Sequence, residues 1–272
     1  MNERMNELSK MLQEGLTEYA NSEKYHELLC VMSRFYNYSA NNCILIALQC
    51  PHASYVAGYT SWRNNFHRQV KRGAKAIRIF SPVKYKKKDA EEEEEETCVG
   101  FKSAAVFDIS ATEQIENMAP VQIGINDLEG NIDNYRQFVS AFEHIAPVSV
   151  DYRLFDGSAK GYYDDSNKII VIQDGMPERQ TVKTLIHEIS HSIMHTQEQL
   201  KDKKKGRDQI ELEAESVACI VCEHYGFDSK EYSFPYIIGW GGKEFQEILK
   251  DSMPVIQKTA SEIISRISDY LK

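Results

Sequence analysis

What this sequence lacks narrows its function first. No stretch can span a bilayer: the longest apolar run, CILIAL at 43–48, falls far short of the ~20 residues that a crossing helix needs. The opening MNERMNELSK has no apolar core of the secretory type, so the expectation is a soluble, cytoplasmic chain with no membrane partner. Six cysteines (Cys30, Cys43, Cys50, Cys98, Cys219 and Cys222) form no disulfide framework, and their thiols are expected to be reduced. An excess of positive charge is missing too. The formal net charge is -9, which excludes a protein that is basic over its whole surface and leaves room for a local basic face. There is no internal repeat. Nor is there an obvious aspartate cluster of the kind that two-metal phosphodiester chemistry uses.

What is present is enough for a packed core. Of 272 residues, 42% are hydrophobic and 27% charged, which points to two domains of ordinary size. Apolar spacing predicts helix within 3–35, and Ser39 is placed to cap a helix over 41–49 that Pro51 ends. AIRIF and VKYK alternate like strands joined by a turn at Ser81-Pro82, and SAAVFDIS at 103–110 reads as a returning strand. Lysines 86–88 and glutamates 91–96 predict a solvated, disordered loop at about 88–97. The connection at 111–131 places the boundary between domains of residues 1–120 and 121–272. The second domain reads as a helix near 131–146, strands VSVDYRLF and NKIIVIQ around a turn-rich GSAKGYYDDS, helices at 177–197 and 208–225, and an amphipathic C-terminal helix. The fold class is α+β.

TLIHEISHSIMH carries the chemistry. On a helix His187 and His191 share one face, with Cβ atoms about 5–6 Å apart, so two imidazoles can meet one Zn²⁺. Glu188 follows the first of them and is the candidate acid/base for a water molecule attacking a carbonyl. The apolar flanks Leu185, Ile186, Ile189, Ile193 and Met194 suit a buried helix rather than a surface one. A catalytic zinc takes a third protein ligand. IELEAESVACIVCEHYG offers Glu211, Glu213 and Glu215, of which Glu211 and Glu215 share a face and Glu213 points away. Glu211 is therefore read as the ligand, and Glu215 as a carboxylate behind the metal that orients a ligand histidine. The expected cofactor is one Zn²⁺ per chain. His195 extends the histidine row but lies about 12 Å along the axis from His187, so it is expected to pack or to support the site rather than to ligate. Cys219 and Cys222 form a lone CxxC and are read as buried small side chains.

Between Arg63 and Lys88 there are ten Lys or Arg and no Asp or Glu, interleaved with Tyr59, Trp62, Phe66, Phe80 and Tyr85. Cations neutralise phosphates and flat rings stack on unpaired bases. The candidate DNA-binding residues are Trp62, Arg63, Arg68, Lys71, Arg72, Lys75, Arg78 and Lys84. The bland alternative is a solvated strand face whose aromatics are core.

The segment YNYSANNCILIALQCPHASYVAGYTSWRNNFHRQVKRGAKAIRIFSPVKYK, with SAAVFDIS after it, resembles the N-terminal domain of ArdC-type antirestriction proteins and their LtrC-like relatives. TVKTLIHEISHSIMH and ELEAESVACIVCEHYGFDSKEYSFPYIIGW resemble the metallopeptidase half of the same proteins. Ala74 and Ala76 depart from the KKGEKGIRI-like run usual there. The resemblance implies a single-stranded-DNA-binding α/β domain followed by a zincin-like domain with a small sheet and the HExxH helix. It implies His187, His191 and Glu211 as ligands in a gluzincin-like pattern, Glu188 as acid/base, and carriage on a conjugative element in bacteria.

Two functions compete. One is a zinc-dependent metallopeptidase that acts on protein near single-stranded DNA. The other is a non-catalytic protein that binds and protects single-stranded DNA, with zinc as a structural staple. An extended substrate is expected to align along NKIIVI if that strand is a sheet edge, with Tyr162 and Tyr163 as candidates to stabilise an oxyanion.

Overall fold

The computed structural model describes residues 3–19, 22–85, 97–121, 135–155, 159–201, 205–227, 234 and 242–272. The chain is α+β and forms two compact units, residues 1–18 with 41–125 and residues 19–40 with 126–272. Besides the expected crossing near residue 120, the chain thus changes unit at 18/19 and 40/41. Residues 88–96 of the expected acidic loop lie outside the described residues.

The first unit contains α1 (Glu3–Glu18), α3 (Ala40–Gln49), β1 (Val56–Gly58), α4 (Tyr59–Phe66), β2 (Arg68–Val70), β3 (Ile77–Tyr85), β4 (Thr97–Asp108) and β5 (Thr112–Gln114). Antiparallel strands in the order β1-β4-β3 make one sheet, and β2 pairs with β5. The turn expected at Ser81-Pro82 does not form. Instead β3 runs unbroken for nine residues, with a register shift only between Val83 and Lys84. Proline is tolerated because β3 is an edge strand. The Asn42 side chain exchanges two 2.9 Å hydrogen bonds with the backbone of Phe80, and Gln49 exchanges bonds of 2.8 and 2.9 Å with that of Arg78. These side-chain amides satisfy the outer edge of β3. Pro82 follows in the same alternation, where no N–H is needed for pairing with β4.

The second unit contains α2 (Ser22–Arg34), α5 (Tyr135–Ile145), β6 (Ser149–Arg153), β7 (Gly161–Asp164), β8 (Ile169–Gln173), α6 (Glu178–Met194), α7 (Gln197–Leu200), α8 (Arg207–His224) and α9 (Gly242–Tyr270). Its α2 carries a stripe of Tyr25, Leu28, Leu29 and Met32, all fully buried, and packs on α8. The Tyr25 hydroxyl lies 2.9 Å from Ser216 Oγ. The sheet order is β6-β8-β7, with β6 parallel and β7 antiparallel to β8. The NKIIVI strand is therefore central, and among the described residues the edges are β6 and β7, the latter within the stretch read as turn. The misreading has a local cause: GYYDDS is rich in turn formers, and the turn itself lies just after β7. Asp164 Oδ1 accepts from the Ser166 and Asn167 amides there. Gly161 lets β7 approach α6, since a Cβ would stand 2.7 Å from Thr184 Cγ2 and 3.1 Å from the Val171 carbonyl. The expected helix at 177–197 forms as α6, which stops three residues early at Met194, and Thr196 with Gln199 then forms a capping box that opens the short α7.

Candidate metal centre

The 3.6-residue period of α6 stacks His187, His191 and His195 along one face, and α8 brings its glutamates against them. His187 Nε2 and His191 Nε2 are 3.0 Å apart. Glu211 Oε2 lies 3.5 Å from the first and 3.8 Å from the second. One ligand atom from each of the three residues falls within 4.8 Å of the others. A tetrahedral zinc with bonds of about 2.0–2.2 Å sets its donors about 3.3 Å apart. The chain's own side chains are thus spaced as such an ion requires, and two imidazoles with a carboxylate suit a divalent transition metal. The donor set fits.

Glu215, one turn beyond Glu211, reaches the back of the first histidine. Its Oε2 is 3.2 Å from His187 Nδ1 and its other oxygen 3.0 Å from Lys183 Nζ. The imidazole contact is close enough for charge attraction but outside the angular range of a hydrogen bond. Burial pulls the His187 pKa down, but Glu211 and Glu215 outweigh it and raise it to about 10. Attraction to His187 and His191 in turn holds Glu211 well below the usual carboxylate range.

Glu188 is 6% exposed, and burial raises its pKa despite the neighbouring histidines. It faces a cavity of about 480 Å³ whose wall includes Gly161, Tyr162 and Tyr163 of the edge strand together with Arg207 and Glu211. Both tyrosines named from sequence therefore line the site. The Tyr163 hydroxyl is committed to Asp165, whereas Tyr162 is 43% exposed. Asp165, held at about 2 by bonds from Lys168, Tyr163 and the Gln197 amide, ties the β7–β8 turn to α7.

Sequence reasoning missed Glu213. It does point away from the Glu211 face, but into the protein, where it is fully buried and accepts from His195 Nε2 at 2.8 Å. Lys205 and Ser252 also donate to it. The i,i+4 step from His191 to His195 was the available signal; the partner on α8 was not.

The DNA-contact candidates divide. Trp62 does not form a stacking surface: its ring is fully buried among Tyr55 and Phe66, and its indole N–H donates to the Phe107 carbonyl at 2.8 Å. Arg68 is bonded to Thr112 across β2 and β5, and Arg78 is half-buried. Arg63, Lys71, Arg72 and Lys75 are exposed, as are Tyr59 at 59% and Phe101 at 60%; Phe101 was not foreseen. The side chain of Lys84 lies outside the described residues.

Residues 1–107 match the family model for the N-terminal domain of anti-restriction factor ArdC, and residues 148–227 match the IrrE N-terminal-like peptidase domain. Crystal structures of the antirestriction ArdC protein from the R388 plasmid share the fold. The metal-free form has a TM-score of 0.51 at 18% identity, and the Mn(II)-bound form 0.54 at 16%. Each alignment covers 86% of this chain and 84% of the other. An uncharacterized protein of Bacillus anthracis, pXO2-81, is 28% identical over 294 residues. That match takes in 93% of this chain and 49% of the relative, so the chain spans about half the length of the curated relative. Fold and site define a metallopeptidase-like domain preceded by an ArdC N-terminal domain. The chain thus joins a stretch matching the ArdC N-terminal domain family to one matching the IrrE-like peptidase family, on a fold shared with the antirestriction ArdC protein.

Proposed function

We propose that this chain is a zinc-dependent peptidase that acts where single-stranded DNA of a mobile element enters the bacterial cytoplasm. The observation that carries the reading is the convergence of His187, His191 and Glu211 beside the buried carboxyl of Glu188, in a cavity walled by the edge strand β7. A divalent ion held by these three residues supplies Lewis acidity toward a peptide carbonyl and toward water. The remaining work falls to the chain. The open edge of β7 aligns an extended peptide by backbone pairing. Glu188, with its raised pKa, takes the proton from the attacking water and returns it to the departing amine. Tyr162 is the freer of the two tyrosines to donate to the oxyanion. In the N-terminal unit, exposed Arg63, Lys71, Arg72 and Lys75 attract phosphates, and Tyr59 and Phe101 offer rings to unpaired bases.

Wild type, Glu188→Gln and His187→Ala decide the matter, assayed for bound zinc and then for casein cleavage and self-cleavage with and without single-stranded DNA. Near-stoichiometric zinc in the first two, none in the third, and cleavage by wild type alone establish the peptidase. Zinc without any cleavage returns the reading to the non-catalytic DNA-protecting protein. No zinc in wild type sinks both.

A further inference from the structure

The histidine row does not stop at the metal ligands. His191 Nδ1 lies 2.9 Å from His195 Nδ1, and His195 Nε2 lies 2.8 Å from Glu213 Oε2. All three side chains are buried, with Glu213 fully so. Glu213 receives further bonds from Lys205 Nζ at 2.6 Å and from Ser252 Oγ at 2.7 Å, and Gln209 Nε2 is 3.4 Å away. A buried carboxylate needs this many donors, because an unpaired one is costly in low dielectric.

This chain of contacts dictates where the protons sit. An ionised carboxylate only accepts, so His195 Nε2 carries the hydrogen. In a neutral imidazole the other nitrogen is then bare, so His195 Nδ1 accepts. Its neighbour 2.9 Å away, His191 Nδ1, must donate. The Nε2 of His191 is left as a bare acceptor 3.0 Å from His187 Nε2, on the side where His187 and Glu211 converge. Lys205 matters to this logic. Its ammonium donates to both Glu213 oxygens, so the carboxylate that faces His195 Nε2 can only accept. A doubly protonated His195 would reverse the sequence: it would donate from Nδ1, and His191 would place its hydrogen at Nε2, where it blocks a metal.

We propose that Glu213, acting through His195, fixes His191 in the Nδ1–H tautomer and so presents its bare Nε2 to the metal. His195, Glu213 and Lys205 are positioning residues: none reaches the ligand position itself. The inference rests on the reading of His191 as a metal ligand and adds a relay of two histidines where one carboxylate contact would ordinarily orient a ligand.

The test reads the tautomer directly. In metal-free, full-length protein labelled with ¹⁵N-histidine, the ring nitrogens of His191 and His195 are assigned by NMR. A protonated Nδ1 on His191 and a protonated Nε2 on His195 are expected; a protonated Nε2 on His191 overturns the proposal whether or not the protein binds zinc. Zinc affinity by chelator competition supplies the second readout. His195→Phe removes the acceptor and is expected to weaken zinc binding by about 10–100-fold. His195→Gln, whose amide presents an acceptor and a donor on one planar group as the imidazole does, is expected to restore it to within a few-fold. Folded His195→Phe with wild-type affinity refutes the relay, and so does His195→Gln that is as weak as His195→Phe. If His195→Phe fails to fold, the NMR result decides alone. Wild type that binds no zinc but shows the expected tautomers removes the metal reading and leaves the proton arrangement standing.

Discussion

The indole N–H of Trp62 donates to the main-chain carbonyl of Phe107 at 2.8 Å, and nothing of the ring reaches solvent. A residue used this way holds α4 to β4 and has no face to offer a base. Trp62→Phe should cost about 1–3 kcal/mol, the range for a buried carbonyl left unsatisfied. Below its melting temperature the variant should bind a labelled oligo-dT as wild type does. Tyr59→Ala and Phe101→Ala should do the reverse, leaving stability nearly unchanged and weakening binding by about 1–3 kcal/mol for each base that loses its stacking partner. Thermal melts and fluorescence anisotropy on the three variants separate the roles. A folded Trp62→Phe protein that no longer binds the oligonucleotide would refute the assignment.

Gly161 sets how closely β7 lies on α6. A methyl group there meets Thr184 Cγ2 at 2.7 Å and the Val171 carbonyl at 3.1 Å, and Thr184 is itself buried. Neither neighbour yields freely, so Gly161→Ala should destabilise the protein by about 1–3 kcal/mol through overpacking. Because Tyr162, Tyr163 and the cavity wall follow directly, peptide cleavage should fall further than stability does, with zinc content unchanged. Urea denaturation alongside zinc and activity measurements checks this; a variant as stable and active as wild type would show that the close approach is not needed.

How much of this was legible before the fold was known depended on the range of each interaction. His187, Glu188 and His191 lie within one helix turn of each other, and helical periodicity alone puts the two histidines on one face. Glu211 and Glu215 were separable from Glu213 by the same four-residue rule, though that rule is silent on what a residue facing elsewhere will meet. Glu213 meets His195 only because of how α6 and α8 pack, and no local pattern encodes that packing. The edge strand β7 was hidden for a different reason: its four residues adjoin a tight turn, and turn chemistry dominates so short a window. Trp62 shows the limit of composition. Its basic neighbours suggested a surface, while burial was decided by Tyr55, Phe66 and the Phe107 carbonyl, the last of them 45 residues away and acting through its backbone.

Glu215 touches no ligand position, yet it sits 3.2 Å behind His187 and 3.0 Å from Lys183. Glu215→Ala takes away the negative charge that steadies His187 from behind and leaves the Lys183 ammonium beside it. Zinc affinity should drop about 10–100-fold, whereas Glu211→Ala should remove measurable binding. Chelator competition distinguishes the two. Equal loss in both variants would make Glu215 a ligand, and no loss in Glu215→Ala would make its contact with His187 incidental.

Asp108 gives the first unit a sensitivity to acid. Its carboxylate accepts from the Ser54 amide at 2.9 Å, the Tyr55 amide at 3.2 Å and the Ser110 amide at 3.0 Å, joining the entry to β1 with the exit from β4. Burial raises its pKa, but the bonds from Ser110, Ser54 and Tyr55 together outweigh that and lower it. A carboxylate whose pKa is lower folded than unfolded adds stability that is complete above the unfolded value of about 3.9 and is lost as pH falls through the folded one. Urea midpoints followed by Trp62 fluorescence in a Trp240→Phe background should therefore fall as the pH is taken from about 5 toward 2. Asp108→Asn keeps the shape but not the charge. It should be less stable than its parent at neutral pH by about 1–3 kcal/mol, and the difference should shrink on acidification. Parallel curves for the two proteins down to the lowest pH would mean that the three amides do not favour the ionised form.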